Sequence, residues 1–202
     1  VPAPDDGVDR AALLDAIAQD ICAHLPCEFE ICRSCTQLVP GEGDPDADVV
    51  LVGEAPGATE DLIGRPFVGA AGRLLDDLLE AAGLRRDDVF ITNLVRARPP
   101  GNRDPRAAEI AHHRPWLEAE LEIIAPRLVV PLGRHALMGF TRGATISAVH
   151  GRAIPASGHT LFPMFHPAAA LRSTTLRRTA FRDARALGET LAAQATAPPG
   201  SR

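Results

Sequence analysis

Glu54, Asn93 and His166 each close or follow a short apolar run, in VVLVGEAPGATED, VFITN and LFPMFH. A carboxylate there can order a water or balance a developing positive charge. A carboxamide offers one acceptor and two donors in a plane, which suits the edge of a heterocycle. An imidazole can donate a hydrogen bond to a developing oxyanion. Each residue also has a plainer reading: glycine and proline after a strand make ordinary turns, asparagine can cap its own backbone, and a histidine on an apolar strand can sit satisfied in the core. Their shared position shifts the balance, because side chains at the ends of separate strands converge on one ligand in an α/β sheet. A phosphate-cradling role for GEAPG is the poorer alternative. The chain has no GK[ST] and no lysine, and Glu54, Glu60 and Asp61 would repel a polyphosphate.

Further groups cluster around the same runs. Phe67, in GRPFVGAAGR, is the best-placed flat ring in a chain with seven Phe, one Trp and no Tyr. Arg96, Arg98, Arg103 and Arg106 surround a Pro-Pro-Gly turn, a cationic loop in a chain of net charge −5, where a phosphate backbone can rest. All 21 basic residues are arginine, so no side-chain amine is present to form a Schiff base.

Such groups need rigid elements behind them. The runs 47–53, 88–94, 126–133 and 160–166 predict strands. GRLLDDLLEAAG predicts a helix with Leu74, Leu75, Leu78 and Leu79 on one face and Gly83 at its end. A longer helix is expected from Arg106 to Ile124. Another is expected from Asp9 to Leu25, with Leu13, Leu14, Ile17, Ile21 and Leu25 on one face and Pro26 ending it. The alternation of strand and helix implies a three-layer α/β/α sandwich around a four-stranded parallel sheet, with the binding crevice beyond the strands' carboxyl ends. At 202 residues the chain suits one domain, residues 9–194, between tails 1–8 and 195–202 that lack apolar periodicity. A composition 46% hydrophobic and 23% charged excludes wholesale disorder, and no apolar run is long enough for a membrane span. The opening VPAPDDGVDR lacks the basic flank and apolar run of a secretory signal, which points to the cytoplasm.

In order, GEAPGATED, GRPFVGAAGRLLD, TNLVRARPPGNRDP, PLG and FPMFHPAAALR resemble the uracil-DNA glycosylase superfamily, and within it the bacterial and archaeal family 4 enzymes, from about Cys32 to Arg185. The resemblance implies base flipping and hydrolytic removal of uracil from single- or double-stranded DNA in base excision repair. It implies a monomer needing neither a nucleotide cofactor nor a membrane. It makes Gly53 and Glu54 part of the water-handling motif, Phe67 the ring that stacks uracil, Asn93 the reader of its edge, Glu60 the neighbour of its C5 position and His166 the oxyanion donor. Arg96, Arg98 and Arg103 would hold phosphates on one side, and Arg172, Arg177 and Arg178 on the other. The turn after TN carries no inserted histidine loop, so covalent trapping of the abasic sugar is not expected, and without lysine neither is strand nicking.

Members of this type commonly hold an iron-sulfur cluster on four cysteines. Cys32 and Cys35 match the first pair, but the next two positions read Ala97 and His113. Cys22 and Cys27 would supply an alternative C-x4-C-x4-C-x2-C set, and His113 a zinc ligand. The expectation is no cofactor, with packing in the cluster's place and the cysteines as buried thiols or a local disulfide.

Overall fold

In the computed structural model, which describes residues 9–25 and 27–196, the chain builds one mixed sheet between two layers of helices. The elements run α1 (Arg10–Ala23), α2 (Glu30–Ser34), β1 (Glu42–Gly43), β2 (Val49–Gly53), α3 (Ala58–Ile63), α4 (Ala70–Ala81), β3 (Phe90–Asn93), α5 (Ala107–Ile124), β4 (Leu128–Pro131), α6 (Gly133–Met138), α7 (Ile146–Val149), β5 (Ile154–Ala156), β6 (His159–Leu161), α8 (Pro167–Ala170) and α9 (Thr174–Thr196). The expected tail 1–8, residues 197–202 and the helix-ending Pro26 lie outside the described residues. Helix α9 reaches Thr196, two residues past the expected boundary at Gln194.

The strand order is β1-β3-β2-β4-β6-β5, and the inner four strands are parallel as expected. The sheet has six strands rather than four, because β1 and β5 add antiparallel edges. Neither edge carries an apolar run: β1 is Glu-Gly, and β5 is Ile-Pro-Ala. Proline at an edge costs no ladder bond that the sheet requires.

Side chains alternate across the inner strands and are buried on both faces. Val49, Leu51, Ile91, Leu128 and Val130 pack with Leu74, Leu75, Leu78 and Leu79 of α4 and Ala180, Ala184 and Leu187 of α9. Val50, Val52, Phe90, Val129 and Leu161 face Leu14 of α1, Leu117, Leu121 and Ile124 of α5 and Leu137 of α6. Period-two alternation with both faces covered is why these strands read as continuous apolar runs.

Two local details fix helix starts. Asp9 caps α1, its Oδ1 accepting from the Ala12 N–H at 3.0 Å. Gly72 lets α4 start beneath the preceding turn: a Cβ there would fall 1.8 Å from the Phe67 carbonyl oxygen. That turn holds Phe67 at φ 51°, a left-handed conformation a phenylalanine rarely adopts. Among the described residues, no helix is long and apolar enough to cross a membrane.

Candidate active site

Parallel register brings the strand ends to one edge. Gly53 pairs with Asn93, Val52 with Pro131, and an extra bridge joins Leu132 to Met164, two residues before His166. Gly53 has no room for a side chain, since a Cβ would lie 2.3 Å from Asn93 Oδ1 and 2.7 Å from the Phe67 ring. Asn93 is 2% exposed, yet among the described residues its amide makes no hydrogen bond and is not sealed off from solvent. A buried amide without a partner calls for an explanation, and a ligand edge is one. The Phe67 ring stacks beside that of His166, with centroids 5.7 Å apart and planes 28° apart.

His166 caps the short helix α8. Its Nδ1 accepts from the Ala168 N–H at 3.1 Å, which leaves the proton of a neutral ring on Nε2. Burial pushes the imidazole down to about 4, against an opposing pull from Glu60. The ring is therefore neutral at physiological pH and presents an N–H donor. Between about pH 6.5 and 4 the unfolded chain takes up a proton that native His166 refuses, so this group costs stability as pH falls through that window.

Glu54 and His166 line the same cleft of about 640 Å³, together with Arg103, Asp104, Arg134, His135 and Arg172. Glu54, Asp104 and His135 bring their polar atoms within 4.8 Å of one another. His135 Nε2 lies 3.2 Å from Asp104 Oδ2, and Arg134 pairs with the same carboxylate at 3.1 Å. Sequence reasoning missed Asp104, Arg134 and His135. The signal was the PLGRH run, which places His135 just beyond the end of β4. Burial holds the Glu54 carboxyl above the usual carboxylate range, with His135 and Arg134 opposing and Asp104 assisting. Native Glu54 thus binds its proton more tightly than unfolded Glu54, and ionising it costs stability. Glu54→Gln is expected to raise the melting temperature, more at pH 7 than at pH 4, while lowering turnover. Melting curves at the two pH values check the sign.

Glu60 Oε1 accepts from the backbone N–H groups of Val68 and Gly69 at 3.0 and 2.8 Å. It ties α3 to the start of α4 and fixes the Phe67 turn between them. Glu60→Ala is expected to cost about 1 kcal/mol, as loss of a helix cap does. Urea denaturation measures this.

The cationic residues separate into different roles. Arg96 is not a surface phosphate ligand: its side chain is fully buried and pairs with Glu120 at 2.8 Å. It also donates to Thr92 Oγ1, which donates to Glu120 Oε2 at 2.8 Å. Arg103 lines the cleft, but Glu109 holds it at 2.6 and 2.8 Å, so most of its charge is spent internally. Arg98 is half-buried and donates to Asn102 Oδ1 at 2.8 Å. Arg172 is exposed at the cleft. Arg177 and Arg178 are exposed on α9, Arg177 lying 3.8 Å from Asp77.

The α/β/α sandwich thus brings an amide, a neutral imidazole, an acid and an aromatic ring to one strand edge. The family model described as the uracil DNA glycosylase superfamily matches residues 40–186, and the chain belongs to that superfamily. It is similar to proteins named Type-4 uracil-DNA glycosylase: 42% identical to that of Sulfurisphaera tokodaii, covering 87% of this chain and 84% of the relative. It is 41% identical to that of Thermotoga maritima, covering 86% and 92%, and 40% identical to that of Archaeoglobus fulgidus, covering 87% and 92%.

Two of the four positions expected to carry cluster cysteines hold Ala97 and His113 instead. Ala97 is fully buried among Ile21, Ile31, Leu38 and Val95, and brings no ligand. Cys35 Sγ donates to the Cys32 carbonyl oxygen at 3.1 Å, and Cys22 is exposed on α1. Of the two expected states, buried thiols or a local disulfide, the second is not formed among the described residues: all four cysteines are free, and only Cys32 is buried. His113, the ligand expected from sequence, is buried behind Cys32. Its neighbour His112 is the one that joins the polar group there, with His24, Cys27 and Cys32.

Proposed function

We propose that this chain is a monofunctional uracil-DNA glycosylase, hydrolysing the bond between uracil and deoxyribose in DNA. The observation that carries the reading is the unpartnered Asn93 amide standing beside Phe67 and His166 at one strand edge. Uracil in a duplex hides its glycosidic bond, so the nucleotide leaves the stack at a cost of about a few kcal/mol, offset by contacts to the extruded base. A third flat ring does not fit between Phe67 and His166 at their present separation, so the base meets Phe67 by its face and His166 by the Nε2 edge. The Asn93 amide complements the uracil edge and mismatches cytosine, whose ring nitrogen and exocyclic amine reverse the pattern.

Cleavage leaves positive charge on the sugar and negative charge on the uracil oxygen. Neutral His166 donates its Nε2–H to that oxygen without first having to shed a proton. Glu54 orients the attacking water and balances the sugar's charge, with His135 and Asp104 beside it in the cleft. In this reading Arg172, Arg177 and Arg178 meet phosphates, while Arg98, 3.8 Å from Asp61, and Arg103, held by Glu109, contribute less. Glu60 acts by fixing the Phe67 turn, which also sets what can stand near uracil C5.

The test is incubation of the purified chain with a uracil-containing oligonucleotide, followed by analysis with and without alkali. Release of free uracil and strand breakage only after alkali are expected. Binding without release, or breakage before alkali, overturns the assignment.

A further inference from the structure

Beneath the strand edge that carries Asn93 lies a second polar cluster that uracil chemistry does not use. His24 closes α1, Cys27 lies in the following loop, Cys32 is on α2, and His112 projects from α5. Their four ligand-type atoms all lie within 4.8 Å of one another. His24 Nε2 is 3.0 Å from His112 Nε2, which is 3.4 Å from Cys27 Sγ. A tetrahedral zinc ion with bonds of about 2.0–2.3 Å sets its ligand atoms about 3.3–3.8 Å apart; the 3.4 Å pair falls in that range, the 3.0 Å pair is slightly tighter, and the whole set spans no more than 4.8 Å, the scale of a mononuclear site. A multi-iron cluster would insert several metal and sulfide atoms between its ligands and requires a wider set.

The surroundings favour the same occupant. Phe29 stacks on His112 at 4.3 Å between centroids, and Trp116 packs edge-on against His24 at 4.8 Å. Trp116 is itself anchored, its Nε1–H donating to Asp20 Oδ2 at 2.7 Å. Two imidazoles and two thiolates around a divalent ion sum to zero charge, which an apolar pocket tolerates. An outer partner is already in place. The Arg96 N–H donates to His113 Nδ1 at 3.4 Å, which leaves the His113 Nε2–H facing Cys32 Sγ at 3.6 Å. Such a bond steadies a metal-bound sulfur. Thiolate with imidazole suits zinc among common divalent ions.

We propose that His24, Cys27, Cys32 and His112 form a structural zinc site that clips α1 and α2 to α5, in place of a four-cysteine cluster. Through His113 and Arg96 it supports the segment leaving Asn93, and so holds one wall of the uracil site from behind. Zinc displaces the two thiol protons to solvent and leaves no open position for catalysis.

Elemental analysis of freshly purified chain is expected to give stoichiometric zinc, with neither iron nor acid-labile sulfide. Replacing zinc with cobalt(II) is expected to give the intense visible bands of tetrahedral thiolate coordination. Cys27→Ser and His112→Ala are expected to lose the metal, while Cys22→Ser and Cys35→Ser retain it. Should the first two variants fail to fold, the cobalt spectrum of the unmodified chain still decides. Stoichiometric iron with sulfide, absence of bound metal, an octahedral cobalt spectrum, or loss of zinc on Cys35→Ser overturns the proposal.

Discussion

Replacing His166 with alanine is expected to slow uracil release about 100- to 1,000-fold under single-turnover conditions, the usual effect of removing one preorganised oxyanion donor. The magnitude follows from preorganisation. The Ala168 N–H fixes the tautomer, burial keeps the ring neutral with its titration near 4, and the reaction needs no proton removed beforehand. The loss should fall on the chemical step, with affinity for uracil-containing DNA little changed, because in the proposed pose Phe67 and Asn93 rather than His166 hold the base. The unmodified enzyme should also show no rate change between pH 6 and 7 from His166. A rate that falls as pH rises through that range, and no longer does so in the alanine variant, would mean that the ring works as an imidazolium.

The largest stability effect is expected at Glu120. Arg96, Thr92 and Glu120 form a closed, buried set in which the guanidinium has one carboxylate partner, and Arg96 Nε is already without a hydrogen bond. Glu120→Ala leaves that cation uncompensated in the core, at a cost of about 3–5 kcal/mol. In a chain of this size each kcal/mol moves the melting temperature by about 2–4 °C. Replacing both partners with apolar residues of similar volume removes the stranded charge, so the double variant Arg96→Met, Glu120→Leu should recover most of the loss. Chemical denaturation of the three proteins measures the comparison. If Glu120→Ala stayed within about 1 kcal/mol of the parent, the core role of Arg96 would be wrong.

Arg96 also marks where sequence reasoning stopped. The parallel inner strands and leucine-rich α4 were legible because burial on both faces and helical spacing leave local patterns. The strand-end positions of Glu54 and Asn93 followed from the same patterns, whereas His166, expected to end a strand over 160–166, lies five residues past the end of β6 at Leu161 and caps α8 instead. Whether an arginine three residues past a strand faces solvent or folds back depends on an acid 24 residues later, Glu120 on α5, and no local pattern reports it. The partnership of Glu54 with Asp104 and His135 crosses three loops in the same way. Cys32 and Cys35 drew attention as a pair in sequence, yet the fold groups Cys27 and Cys32 with two histidines 88 residues apart. Edge strands as short as β1 leave no signal at all.

The most direct test of the site is a crystal structure of the chain with free uracil. The base should lie flat against Phe67, with its edge on the Asn93 amide and one carbonyl oxygen within hydrogen-bond reach of His166 Nε2. Uracil bound instead in the open cleft beside Asp104 and His135, with Asn93 untouched, would contradict the account.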